Sequence, residues 1–291
     1  MRAGSYGTQS TWHDLVNSGS ASAQIVLTAA PGDSVTVNGW VDLEGSYTTL
    51  SHLNVNGSND INTSAPGAAG CQKPSSEALA INGAGDIFEY NNFFQSGASA
   101  RGVGLGVGFS GHPDNTVIRY NEIHDVGSCA AYDHLIYLDS GNNVQIYKNW
   151  MWNDANGWGV QLYPHPTNAR VFDNVIDHAG SGFLIGNESG DTVSGNQLYN
   201  NVVTNATGLP SAGLDQGVAI SDWWGGTQDP NNTFSDNDSF NNPGGVAHVK
   251  NVALSGNITA DPQFVNAAGH DYAVSSSSPA AGWGLWNGSG M

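Results

Sequence analysis

Four residues in the middle of the chain have the types and spacing of an acid–base site: Asp139, Tyr163, His165 and Glu188. Two carboxylates facing one cleft can break a glycosidic bond. One gives a proton to the leaving oxygen while the other activates a water. If the residues sit on stacked coils about 4.8 Å apart, Asp139 and Glu188 are two coils and at least about 9.5 Å apart, near the upper edge of the inverting range. Asp133, Asp215 and Asp222 flank the same face and can replace either. A different chemistry, elimination or epimerisation at a uronate, needs a base, a proton donor and a neutralised carboxylate. Tyr163 and His165 lie two apart on one strand and can point the same way. Arg101, Lys148 or Arg170, or a Ca²⁺ held by Asp133, Asp139 or Asp215, would neutralise the substrate. The plain reading of His165, between Pro164 and Pro166, is a rigid turn.

A third possibility is sugar binding without chemistry, or a purely structural module. Tyr137 and Gln161 are outward neighbours of the acids, and Trp223-Trp224-Gly225-Gly226 ends a strand and heads a loop, the best placed aromatic pair for stacking on a sugar face. Trp150, Trp152 and Trp158 suit the same role or simple burial. His124-Asp125, Asp177-His178 and Asp133-His134 occupy bends where a metal is conceivable, but no tight ligand spacing supports one.

The elements that must position these residues are visible as a repeat. Asparagine recurs in Tyr90-Asn91-Asn92, Tyr120-Asn121, Lys148-Asn149, Asp173-Asn174, Gly195-Asn196 and Gly256-Asn257, with a weaker copy at Asp236-Asn237. From Asn92 to Asn196 the steps are 29, 28, 25 and 22 residues. Such a period without helical patterning marks a solenoid of short strands. Each coil reads as a strand before the Asn (Asp86–Tyr90, Thr116–Tyr120, Val144–Tyr147, Ala169–Phe172) and a short strand after it. A third strand with strict alternation follows: Gly102–Val107, Leu135–Asp139, Gly159–Tyr163, Gly182–Gly186 and Gly217–Ser221. Its inward residues would be Val103 and Leu105, Ile136 and Leu138, Val160 and Leu162, Phe183 and Ile185, Val218 and Ile220. Asn at a bend tolerates left-handed backbone, and stacked Asn side chains bond to one another, so the column is read as structural.

Composition supports strands and turns: 39 Gly among 291 residues and 11% charged residues leave little material for helices. The net charge is −18, with seven Lys plus Arg that form no run. Nucleic acid and anionic membrane surfaces are therefore poor partners. No apolar run reaches transmembrane length. Cys71 and Cys129 both fall in loops, where a bridge and two thiols are both open. Met1-Arg2-Ala3-Gly4 is not a signal peptide, and the opening residues read as folded sequence, so a leader or an upstream coil is expected to have been removed.

The Asn-marked coils resemble the right-handed parallel β-helix superfamily of pectate lyases and related secreted bacterial carbohydrate-active proteins. The resemblance covers coils at roughly residues 20–265. A closing segment at about 260–291 contains Asp261-Pro262, Asp271-Tyr272 and Ser278-Pro279. The resemblance implies an all-β, single-domain solenoid over residues 1–291, secretion, and a cleft on the outer face of the alternating strand, and the repeat period gives about seven to nine coils. The paired aspartates and Gly-His-Gly of polygalacturonases are absent. The expectation is an enzyme that cleaves a polysaccharide, by hydrolysis through a carboxylate pair or by lyase or epimerase chemistry at Tyr163 and His165. A non-catalytic module is the alternative. No cofactor is certain, and Ca²⁺ is the one considered.

Overall fold

The computed structural model describes residues 1–57, 77–95, 103–126, 133–188, 190–209, 217–222 and 231–290. These form a parallel β-helix, with no α-helix among the described residues and a single 3₁₀ turn at Ala267–Gly269. One face is a nine-stranded parallel sheet running from Ile25–Thr28 to Val252–Ser255. The other two faces are joined into one sixteen-stranded sheet, because Trp150–Leu162 and Val175–Ile185 turn the corner without interruption. No described helix is long and apolar enough to cross a membrane.

The three corners of each coil are made by residues in the left-handed region. One corner uses His52, Tyr90, Tyr120, Lys148, Asp173, Asn200 and Asp236, with φ between 54° and 57°. The second includes Asn115, Asn143, Asn168 and Asn231, and the third Asp125, Asn153, His178, Asn205 and Asn241. Left-handed backbone is uncommon for residues other than Gly, Asn and Asp, so its recurrence at Tyr and His positions needs compensation.

That compensation is an internal ladder of amides. Asn91, Asn121, Asn149, Asn174, Asn201, Asn237 and Asn257 each follow a left-handed corner residue. Each of the first six donates its side-chain amide to the next Asn Oδ1 at 2.9–3.1 Å. The same Oδ1 also accepts the backbone N–H of the preceding coil's Asn. Buried peptide groups at the turn are thereby satisfied. The register expected from sequence is corrected in two places. Asn91 rather than Asn92 enters the column, and Asn201 rather than Asn196. Asn196 belongs to a second ladder at the preceding corner, where it bonds Asn232 at 3.0 Å and receives the Ala169 N–H.

Inside, Leu105, Ile136, Leu138, Val160, Leu162, Phe183, Ile185 and Ile220 stack into one core. Val107 joins them, while Val103 and Val218 are buried outside that cluster. The first residues of the third strands depart from strict alternation. There Gly104, Gly159 and Gly182 face inward, and a Cβ would meet Ile123, Ile176 and Val203 respectively within 3 Å. These glycines are set by packing.

The C-terminal segment folds back over the outside of the solenoid. Tyr272, Ala280 and Trp286 pack on Trp150, Trp152, Val175 and Val202. Tyr272 donates its hydroxyl to Asp177 at 2.9 Å, and the His270 ring stacks on Trp152 at 4.5 Å. Trp150 and Trp152 are therefore packed under this segment, and Trp158 is fully buried with Leu184 and Leu209. None of the three is available to stack on a sugar.

Candidate functional site

Strand pairing brings the expected acid–base residues together. His134–Leu138 pairs with Trp150–Leu162, aligning Tyr137 with Gln161 and Leu138 with Leu162. The next rung aligns Gln161 with Leu184 and Leu162 with Ile185. Since Ile136, Leu138, Val160 and Leu162 point inward, Tyr137, Asp139, Gln161 and Tyr163 point outward on adjacent coils. Asp139 and Tyr163 follow the paired leucines and stand side by side, and the Tyr163 N–H bonds the Leu138 carbonyl at 3.0 Å.

Two side-chain links connect the rungs. The Tyr163 hydroxyl donates to Glu188 Oε1 at 2.8 Å. The His165 ring lies between two carboxylates, with Nε2 3.1 Å from Asp191 Oδ1 and Nδ1 3.9 Å from Asp139 Oδ1. The His165 backbone is tied as well, its N–H donating to the Asp139 carbonyl at 2.9 Å. Asp191 was not singled out in the sequence. It reaches the site because a tight turn, with the Asp191 N–H on the Glu188 carbonyl at 3.1 Å, carries it back toward the previous coil. The spacing Glu188–Asp191 on a loop next to a strand end was the available signal.

Of these groups Asp139 and His165 line an open cleft of about 520 Å³, together with Phe109, Ser110, Asp114 and Asn142, while Tyr163, Glu188 and Asp191 stand outside its lining. Ser140 fixes its upper lip by donating to the carbonyls of Gly108 and Gly111 at 2.8 and 3.0 Å. Asp114 accepts the Asn142 N–H at 2.8 Å. Phe109 meets the edge of Tyr137 at 4.9 Å.

Burial shapes the electrostatics. Asp139 is pushed up to about 6, first by burial and then by Glu188 and Asp191, against the opposing pull of His165. The Tyr163 phenol is raised by burial and by its bond to Glu188, with the charges of Asp191 and Asp139 adding to this. Tyr137 is raised by burial and by Asp139, while Gln161 works the other way. Gln161 is only 6% exposed, so its main contact is Tyr137 rather than solvent.

Other residues expected at the site fall elsewhere. Asp133 is fully buried. Asp222 Oδ2 accepts the Lys250 N–H at 2.6 Å. Arg170 lies in the nine-stranded sheet, and Lys148 is the corner residue that follows the strand Gln145–Tyr147, its ammonium 5.8 Å from the Tyr120 ring. Arg101, Trp223, Trp224, Asp215, Cys71 and Cys129 lie outside the described residues. Among the described residues no group of three or more His, Cys, Asp or Glu is placed to hold a metal. The bends at His124 and Asp177 serve structure instead. His124 stacks on Trp152 at 4.3 Å, and Asp177 accepts from Thr204, Asn205 and Tyr272.

The chain matches the family model described as the right handed beta helix region over residues 44–239. No curated protein matches it. Among solved structures it is similar to the surface protein and adhesin PfbA of Streptococcus pneumoniae, with 11% identity and a TM-score of 0.52 over 80% of this chain and 66% of that one. A second PfbA structure gives 11% identity and 0.54, over 80% and 60%. Pectate lyase Pel9A is 13% identical with a TM-score of 0.48, over 94% and 75%. The chain thus spans just under two thirds of the adhesin chains it matches, and at these identities the likeness lies in the fold.

Proposed function

The chain belongs to the right-handed beta helix family, and on that premise we propose that it is a secreted enzyme that hydrolyses glycosidic bonds of a polysaccharide. The observation that carries this reading is Asp139, a carboxyl held at about 6 on the wall of a cleft, two rungs from a second carboxylate. Asp139 is the general acid. It gives its proton to the glycosidic oxygen as the bond from that oxygen to the anomeric carbon breaks. Glu188, oriented by the Tyr163 hydroxyl, is the base that takes a proton from the water attacking the opposite face. Two stacking steps of about 4.8 Å separate the rungs that carry the two residues, a backbone offset compatible with the carboxyl spacing of inverting pairs.

His165 and Asp191 tune the acid from opposite directions, His165 lowering and Asp191 raising it. Elimination at a uronate is less favoured. A Tyr163 phenol pushed upward and already donating to Glu188 is a poor proton abstractor. Secretion is supported by composition, with 25 acidic against seven basic residues. The test is a panel of neutral and uronic polysaccharides with and without Ca²⁺. Reducing ends without unsaturated-product absorbance support hydrolysis. Both together support elimination, and binding without product supports a non-catalytic module.

A further inference from the structure

The charges and aromatic groups around this cleft bear on what kind of glycan it takes. Asp14 and Asp42 pair in register and lie in the same row of the sheet as Tyr137 and Gln161, and the rungs between carry only Ala80 and Gly106 in that row. Val41 and Leu43 are buried, so Trp40 and Asp42 face outward. Beyond Asp42, Glu44 accepts from Asn82 at 2.9 Å and from Ser110 at 3.2 Å, and Ser110 is itself a wall of the cleft. The acidic strip at Asp14, Asp42 and Glu44 thus reaches the cleft that Asp114 and Asp139 line, with Asp191 against His165 at its edge.

No described cation relieves this strip. Arg2 pairs with Asp33 at 3.1 Å, and Arg119 with Glu89 at 2.6 Å on the nine-stranded sheet. Arg170 and Lys148 belong to that sheet and its corner, and Lys250 follows Gly245–His248 at the last rung. The repulsion shows in Asp42, pushed up to about 6 by burial and then by Glu44 and Asp14. A uronate chain would bring one more negative charge with every sugar into this field. At the far end, Trp12 is 58% exposed and stacks on Trp40 at 4.8 Å with 9° between the rings. Indole faces pack on the apolar faces of sugars without needing charge. Three rungs of about 4.8 Å separate Trp40 from Asp139 along the axis, roughly 14 Å, a span that several sugars fill.

We propose that the cleft takes an uncharged polysaccharide laid along the solenoid axis, from His165 and Asp139 at the cutting end to the Trp12–Trp40 stack at the other, and that its carboxylates exclude uronates. This rests on the reading of the cleft as a polysaccharide site. The experiment is affinity electrophoresis of the whole chain in gels carrying a neutral glucan, xylan or mannan, or else polygalacturonate or alginate. Each is run at low and high salt, with EDTA or Ca²⁺. At least one neutral glycan is expected to retard the protein. Trp12→Ala, at an exposed position, should weaken that retardation several-fold with an unchanged circular dichroism spectrum. Uronates should give none at low salt, with or without Ca²⁺.

Retardation by a uronate that matches or exceeds that by every neutral glycan overturns the proposal, as does unaltered neutral binding by Trp12→Ala. No binding to any glycan overturns it together with the reading beneath it. Neutral binding that depends on Trp12 but yields no product leaves this inference standing and removes hydrolysis. Cleavage of a uronate does the reverse, removing this inference while leaving polysaccharide cleavage.

Discussion

Tyr163 donates its hydroxyl to Glu188 at 2.8 Å, reaching from one coil of the solenoid to a loop of the next. The bond fixes the direction of a carboxylate that otherwise sits on an exposed turn. A charge-assisted hydrogen bond of this kind contributes about 1.5–3 kcal/mol. Tyr163→Phe keeps the ring packed against Leu184 and Trp158 and removes only the donor. We expect kcat to fall about tenfold to a hundredfold with KM little changed, and the melting temperature to drop by a few degrees as the bond is lost. Complete loss of activity would instead mean that the phenol takes part in proton transfer.

The pH profile should report Asp139. A general acid must be protonated, and Asp139 is held at about 6, so kcat/KM should fall about tenfold per pH unit above that value. His165 lowers Asp139, so His165→Gln should move the falling limb to higher pH. Asp191 raises it, so Asp191→Asn should move the limb to lower pH. Limbs that do not move, or that move in the opposite senses, would remove Asp139 from the role of acid.

The amide ladder should be worth most in its middle. Asn149 donates to Asn174 and Ile118 and accepts from Asn121 in the interior, and it also donates to the partly buried Tyr147 carbonyl. Asn149→Ala leaves several buried peptide groups unpaired, at roughly 2–4 kcal/mol. Asn257, at the partly exposed end of the ladder, should lose about 1 kcal/mol on the same substitution. Urea denaturation of the two variants compares them directly, and equal losses would argue against the ladder as the source of turn stability.

Stability should rise on mild acidification. Burial raises Asp42, Asp139, Asp173 and Asp238 to about 6 and Asp86 to about 7, and lifts Asp154 as well. The native state therefore binds more protons than the unfolded chain between about pH 4 and 7, so stability falls as pH rises through that window. His134 acts in the opposite sense. Burial lowers it to about 3, and its contribution is lost as pH falls below its unfolded value of 6.5. Six carboxylates outweigh one imidazole, and acidification also relieves the repulsion of a chain at −18. A melting temperature several degrees higher at pH 5 than at pH 7.5 is expected. A lower one would contradict the balance.

The repeat was legible because three features recur together in each coil: the corner Asn, the alternating third strand and the glycine that opens it. The register was less legible, because two successive corners use Asn. Asn91 and Asn92 compete within one segment, and Asn196 marks a different corner from Asn201. At the site, Asp139, Tyr163, His165 and Glu188 could be grouped from strand period alone. Asp191 needed the loop spacing after Glu188 instead, since a turn rather than a strand returns it to His165. The fate of Trp150 and Trp152 was equally hidden. Residue type made them stacking candidates, but the segment that covers them lies some 120 residues away in sequence and announces no pairing with them.

The most direct test of the central claim is reducing-end release from a cleaved polysaccharide by wild type, Asp139→Asn and Glu188→Gln, with folding checked by circular dichroism. The account predicts folded variants, each slowed by about 10²–10⁴, and no unsaturated product from any of them. Wild-type rates in either variant, or absorbance from an unsaturated uronate that survives both substitutions, would contradict it.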